Sequence, residues 1–175
     1  MLQMEFVSGK KKNIDILYTV VLWTMAICYF FIISLYSSHP AIVSKAESRP
    51  IVEKSIQIVT DVAAATGNQA PNLSKLVVTQ IVRKGAHLLN FTILGFLFCM
   101  AAYKTAKSNE IIVVFTAMLC GLIGATIDEV HQLFVDGRSG QVSDVLIDFL
   151  GTCTGCIIFI IEKYFIYGNK FFLKG

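Results

Sequence analysis

The chain has 175 residues, of which 55% are apolar and 15% charged, against a charged share of about a quarter in soluble globular domains. A mean hydropathy of +0.66 excludes an ordinary water-soluble fold. The 15 basic and 12 acidic residues are spread along the chain for a net charge of +3, which excludes a basic domain built for nucleic acid.

A single membrane domain over residues 1–175 is therefore expected, and its helices follow in chain order. Roughly 20 helical residues cross a hydrocarbon core of about 30 Å. The first span, 16–36, carries no charge, and Tyr18, Trp23, Tyr29 and Tyr36 suit aromatic anchoring. It is long for a signal-peptide core and no A-x-A-like site follows it, so a retained span is expected. A long loop, 37–85, comes next. Within it Val52, Ile56, Val59, Val62 and Ala63 recur at helical spacing among polar residues, so an amphipathic helix is expected over 51–65. Thr66-Gly67-Asn68 supplies stop chemistry, Pro71 punctuates, and Asn72 can cap a helix running into the second span. That second span is 86–103, the third 111–127 and the fourth 145–165. The expected fold is all-α: a four-transmembrane-helix bundle with an additional amphipathic helix in the outer loop.

Lysines in short connections set the orientation, because their translocation is disfavoured. Lys10, Lys11 and Lys12 precede the first span, Lys104 and Lys107 follow the second, and Lys163, Lys170 and Lys174 follow the fourth. Both termini are thus expected in the cytoplasm, with the 37–85 loop and the turn from Asp128 to Asp144 outside.

The chemistry gathers where spans two, three and four meet the outer face. Arg83, His87, Asn90 and Leu94 follow i, i+4, i+7 and i+11 on one helix. Asp128, His131 and Gln132 are expected to share a face of the third, with Glu129 beside Gln132 by i+3. Asp144 and Asp148 are one turn apart where the fourth begins, with Ser139 or Ser143 as candidate caps. A charge deep in a spanning helix costs on the order of 2.5–3.5 kcal/mol on insertion scales, so these stripes should face one another. Arg83, Lys84 and Arg138 can be set against the carboxylates, with Arg138 as a bidentate clamp between two of them. The same residues would also serve as a salt-bridge network that only fixes helix register.

His87, His131, Asp128 and Glu129 are metal-ligand types, but their spacing matches no familiar motif and the neighbouring Arg83, Lys84 and Arg138 repel a cation. No metal and no cofactor is expected. Cys28, Cys99, Cys120, Cys153 and Cys156 all lie inside spans as small packing residues. Gly151 and Gly155 form a G-x-x-x-G pair that lets another helix of the bundle approach closely.

Two stretches carry a resemblance. RKGAHLLNFTILG, from Arg83 to Gly95, and DEVHQLFVDGRSGQVSDVLIDFLG, from Asp128 to Gly151, are similar to the two signature blocks of the VanZ-like membrane proteins. Arg83, Lys84, Ala86 and His87 match the first block. Asp128, Glu129, His131, Gln132, Phe134, Gly137, Arg138, Asp144, Asp148 and Gly151 match the second. The chain departs from the pattern at Asn90 and Phe91, where the family often has glutamate and tyrosine, and at Asp136, where proline is common.

The resemblance implies a multi-pass protein of the bacterial plasma membrane. For the founding member it implies low-level resistance to the lipoglycopeptide teicoplanin. Membrane lipid is then one partner, and a lipid-linked cell-wall precursor or the lipoglycopeptide itself a second. A non-enzymatic binding role is the leading expectation. A membrane enzyme acting on a lipid headgroup, with Glu129 or His87 as acid or base, stands as the alternative beside a small transporter or structural subunit.

Overall fold

Apolar runs long enough to cross hydrocarbon become helices because a helix satisfies every backbone polar group within its own segment. The computed structural model describes residues 2–68, 74–106 and 109–172, with side chains described over 13–40, 42–68, 74–106 and 109–165. Its five helices are α1 Leu2–Ser37, α2 Ala41–Ala65, α3 Lys75–Thr105, α4 Glu110–Gln132 and α5 Val142–Phe172. Four of them contain stretches fit to span a membrane: Asn13–Ser37, Lys75–Thr105, Glu110–Gln132 and Val142–Phe165. Each overruns its expected span, because helical backbone continues past the apolar stretch into polar residues that remain good helix formers. The multi-pass, all-helical architecture expected from hydropathy is the one found.

The surface confirms the solvent. Leu17, Phe31, Leu35, Ile111, Phe115 and Ile161 all point outward, a belt of apolar side chains far larger than a soluble monomer exposes.

α3 is the centre of the bundle. It touches every other helix and shares its longest interface with α5, while α1 packs on α3 and α4, and α2, among the described residues, rests on α3. Phe91, Leu94, Cys99, Ala117 and Ala125 are fully enclosed. The α3–α5 contact is close because α5 presents Gly151 to the Leu88 carbonyl and Phe91, and Gly155 to the backbone of Thr92 and Phe96. Small residues give helices in lipid the van der Waals contact that a hydrophobic drive cannot supply there. The G-x-x-x-G pair thus packs within the bundle, as expected. Cys99 and Cys156 are buried, and the cysteines are free thiols.

Among the described residues, three side-chain bonds tie α1 to α3 and α4: Trp23 donates to Thr105 (3.0 Å), Tyr29 to Asn90 (3.1 Å) and Ser37 to Asp128 (2.8 Å). Asn109 caps α4 through the Ile112 amide, and Lys163 of α5 pairs with Glu110 at 2.6 Å at the same end of the bundle.

The helix expected over 51–65 begins ten residues earlier, at Ala41 just after Pro40, and carries Pro50 in its interior. Proline in a helix leaves the carbonyl four residues back without its donor. Ala46 and Pro50 are both exposed, so solvent meets that carbonyl. Val52 and Ala63 are the buried residues of this helix, whereas Ile51, Ile58, Val59 and Val62 stay outward. Glu53 ties it to α3 through Lys75 at 3.0 Å; the hydrogen bonds from Arg49 and then Lys75 hold its carboxyl below the usual range. Pro71 and Asn72, expected to punctuate and cap the start of α3, lie outside the described residues.

The glycine contacts yield a prediction. Gly155→Val should lower stability by roughly 1–3 kcal/mol or more, because the new side chain meets α3 backbone that cannot swing away. Gly85→Ala, with open space at its Cβ, should instead raise it by about 0.5–1 kcal/mol through helix propensity. Thermal midpoints in detergent at matched membrane abundance measure both.

Candidate functional site

The polar residues collect at one end of the bundle, where α1 and α4 finish and α3 and α5 begin. The eighteen residue steps from His87 to Thr105 cover about 27 Å of helix, close to a hydrocarbon thickness of about 30 Å. His87 therefore sits near the boundary and Arg83 and Lys84 beyond it.

Gln132 is the hub. Its amide nitrogen donates to Asp128 Oδ2 at 3.0 Å and Glu129 Oε1 at 3.1 Å, and its oxygen accepts from Arg138 Nη1 at 3.4 Å. The i+3 and i+4 spacings bring all three acceptor and donor groups onto one face of the last turns of α4. Asp128, Glu129 and Gln132 are buried. Glu129 Oε2 accepts the backbone N–H of Gln141 at 2.9 Å, so a carboxylate on α4 satisfies an amide at the start of α5. The Gln141 carbonyl in turn accepts the first amides of that helix. The expected caps are therefore corrected: Ser143 bonds Gln141 Oε1 and Asp144, Ser139 accepts from Gln141, and Gln141 opens the helix.

Lys84 pairs with Asp144 at 2.7 Å. His87 Nδ1 lies 3.4 Å from Asp148 Oδ1, within ion-pair reach but without hydrogen-bond alignment, so both atoms are left unpartnered inside the bundle.

Arg138 departs from its expected role. Its Nε donates to the His39 carbonyl at 2.9 Å and it forms no ion pair among the described residues, so it anchors the end of α1 instead of clamping two carboxylates. The cause lies in the turn: Gly137 at φ 72 and the Arg138 amide bonded to the Val135 carbonyl aim the side chain back over α1. Burial lowers the Arg138 pKa, and the nearby charge of Arg83 lowers it further.

His131 also departs. It is exposed, because the buried face of α4 is centred between Asp128, Gln132 and Glu129 and leaves it roughly 100° around the helix. Arg83, Lys84, His87, Asp128, Glu129, Gln132, Arg138, Asp144 and Asp148 do converge. Sequence reasoning passed over Ser37, the His39 carbonyl and Gln141. The first two lie at the end of α1, and no spacing rule links them to residues a hundred positions away.

Two cavities open beside this network. A cleft of about 460 Å³ lies between α1, α2 and α3, with Tyr36, Ser37, Glu47, Arg83, Asn90 and Arg138 in its wall. A second, of about 170 Å³, is lined by Gln80, Lys84, Gln132, Gln141 and Asp144. Arg83 and His87 line both and form the partition.

Glu129 supplies a prediction. Glu129→Gln keeps an acceptor for the Gln141 amide and should leave membrane abundance within about twofold of wild type, whereas Glu129→Leu strands that amide and the Gln132 donor, at about 1–3 kcal/mol. Quantitative immunoblotting and thermal unfolding separate the two.

No curated protein matches the chain, and no solved structure does. A family model described as VanZ/LLP1 matches residues 20–164, a segment that contains every residue of the polar network. With four spanning helices and a match over most of its length, the chain belongs to the VanZ/LLP1 family as a multi-pass membrane protein.

Proposed function

We propose that this protein is a non-enzymatic binder of the bacterial cell envelope. It holds the anionic headgroup of a lipid-linked cell-wall precursor, or of a lipoglycopeptide, in the cleft between α1, α2 and α3. The observation that carries the reading is the pair of guanidiniums in that cleft. Arg83 and Arg138 approach from different elements and neither forms an ion pair among the described residues. Two half-buried like charges on the wall of one cleft repel, and an anion between them would relieve that repulsion; planar guanidinium forks match carboxylate or phosphate oxygens.

The apolar part of the wall, Ile33, Ile51 and Val82, suits an amphiphile whose chain stays in the membrane. The orientation belongs to the same proposal. Lys104 and Lys163 lie at the opposite end from Arg83 and Arg138, so the lysine rule puts the cleft on the outer face and both termini in the cytoplasm. Glycopeptides act on that face. Low-level teicoplanin resistance, which the family name brings with it, would then follow from occupancy of the precursor or of the drug.

The test expresses wild type, Arg83→Ala and Arg138→Ala at matched membrane levels in a glycopeptide-sensitive Gram-positive host and measures teicoplanin and vancomycin inhibitory concentrations. Wild type should raise the teicoplanin value more than the vancomycin value, and both variants should abolish the rise. A rise that survives both substitutions removes the function from this cleft; no rise from well-expressed wild type retires the resistance reading.

A further inference from the structure

Behind the arginine-lined cleft the bundle holds a second arrangement of opposite sign. His87 from α3, Asp128 from α4 and Asp148 from α5 each offer one ligand atom, and these atoms lie within 4.8 Å of one another. Asp128 and Asp148 are both 0% exposed. Both oxygens of Asp148, Oδ1 of Asp128 and Nδ1 of His87 have no hydrogen-bond partner. Buried polar atoms are nearly always partnered, and two carboxylates facing one another in a low-dielectric interior repel. His87 Nδ1 stands 3.4 Å from Asp148 Oδ1, but one imidazole set against two buried carboxylates still leaves these atoms, on three helices, needing an explanation.

We propose that His87, Asp128 and Asp148 bind one divalent first-row transition ion. The donor set is one imidazole nitrogen and two carboxylates, which suits Mn²⁺, Fe²⁺, Co²⁺ or Zn²⁺. A divalent ion cancels the two buried negative charges with neutral imidazole as the third ligand. Bonds of about 2.0–2.2 Å place ligands roughly 3–4 Å apart around one ion, which small side-chain rotations reach from the observed separation.

The surroundings are arranged as an outer shell. Ser37 and Gln132 both donate to Asp128 Oδ2, at 2.8 and 3.0 Å, which fixes the carboxylate and leaves its Oδ1 unpartnered. Of the basic side chains that count against a cation on sequence grounds, Lys84 is committed to Asp144 and Arg138 to the His39 carbonyl, which leaves Arg83, on the wall of the cleft, as the one of the three to set against two buried carboxylates. Three protein donors leave coordination positions for solvent. The assignment does not depend on headgroup binding in the cleft.

The experiment uses the full chain in detergent, stripped with EDTA, returned to chelator-free buffer, and titrated with MnCl₂, CoCl₂ or ZnCl₂ alone. Metal per chain is measured after gel filtration, and circular dichroism confirms the fold. One ion per chain is expected in wild type and in Glu129→Gln, with affinity lower by about 10–100-fold in His87→Gln and Asp148→Asn. Asp148→Asn should be at least as stable as wild type in EDTA, because it removes one of the two facing charges. A measurement on wild type alone stands even where a variant does not fold: pulsed EPR of bound Mn²⁺ should show coupling to one imidazole nitrogen. No stoichiometric uptake, equal uptake by folded Asp148→Asn, or bound Mn²⁺ without nitrogen coupling would each overturn the assignment.

Discussion

The closeness of α5 to the backbone of α3 sets the register of the whole polar end. Gly151 faces the Leu88 carbonyl and Gly155 faces Thr92, so neither helix can slide past the other without driving side chains into main chain. His87 precedes Leu88 by one residue and Asp148 precedes Gly151 by one turn, and the glycine contact therefore fixes the 3.4 Å approach of imidazole to carboxylate. In a bilayer, where no hydrophobic force pushes helices together, such contact is the means by which a bundle acquires a unique geometry. Polar chemistry at the end of the bundle inherits its precision from apolar packing beneath it.

The second organising element is the use of one amide side chain to hold two acids. Gln132 donates to Asp128 and Glu129 and accepts from Arg138, so one residue links α4, the following turn and, through Arg138, the end of α1. Satisfied networks of this kind rigidify a structure, whereas half-satisfied ones destabilise it. The network here is divided: Glu129 is fully partnered, while Asp148 and one oxygen of Asp128 are not. On α4 a fully partnered acid, Glu129, thus stands next to one with an unpartnered oxygen, Asp128.

Hydropathy alone revealed the four spans, because about 20 apolar residues have few other uses in a small chain. The i, i+4 stripes likewise revealed Arg83 with His87, and Asp128 with Gln132, since helical periodicity is a local property. Facing direction was less accessible. His131 shares the spacing of its neighbours but not their burial, because the centre of the buried face depends on where α3 and α5 lie. Arg138 follows a left-handed glycine whose turn geometry decides its target. Ser37 and Gln141 carry no signal of their own; their roles arise from the meeting of segments remote in sequence. The helix expected from residue 51 begins just after Pro50 and misses the helical residues from Ala41 up to that proline, since an interior proline interrupts the pattern.

α2 forms one wall of the arginine-lined cleft and, among the described residues, packs on no helix but α3. Among the described residues, shifting it would break little beyond the burial of Val52 and Ala63, on the order of 2–4 kcal/mol, and the exposed pairs of Glu53 with Lys75 and of Glu47 with His39. Of the other walls, α3 is packed against α5 through Gly151 and Gly155, and α1 is bonded to α3 and α4. α2 is therefore the wall that would yield first: displacing it would open the cleft sideways and leave the contacts of α3 with α4 and α5 intact.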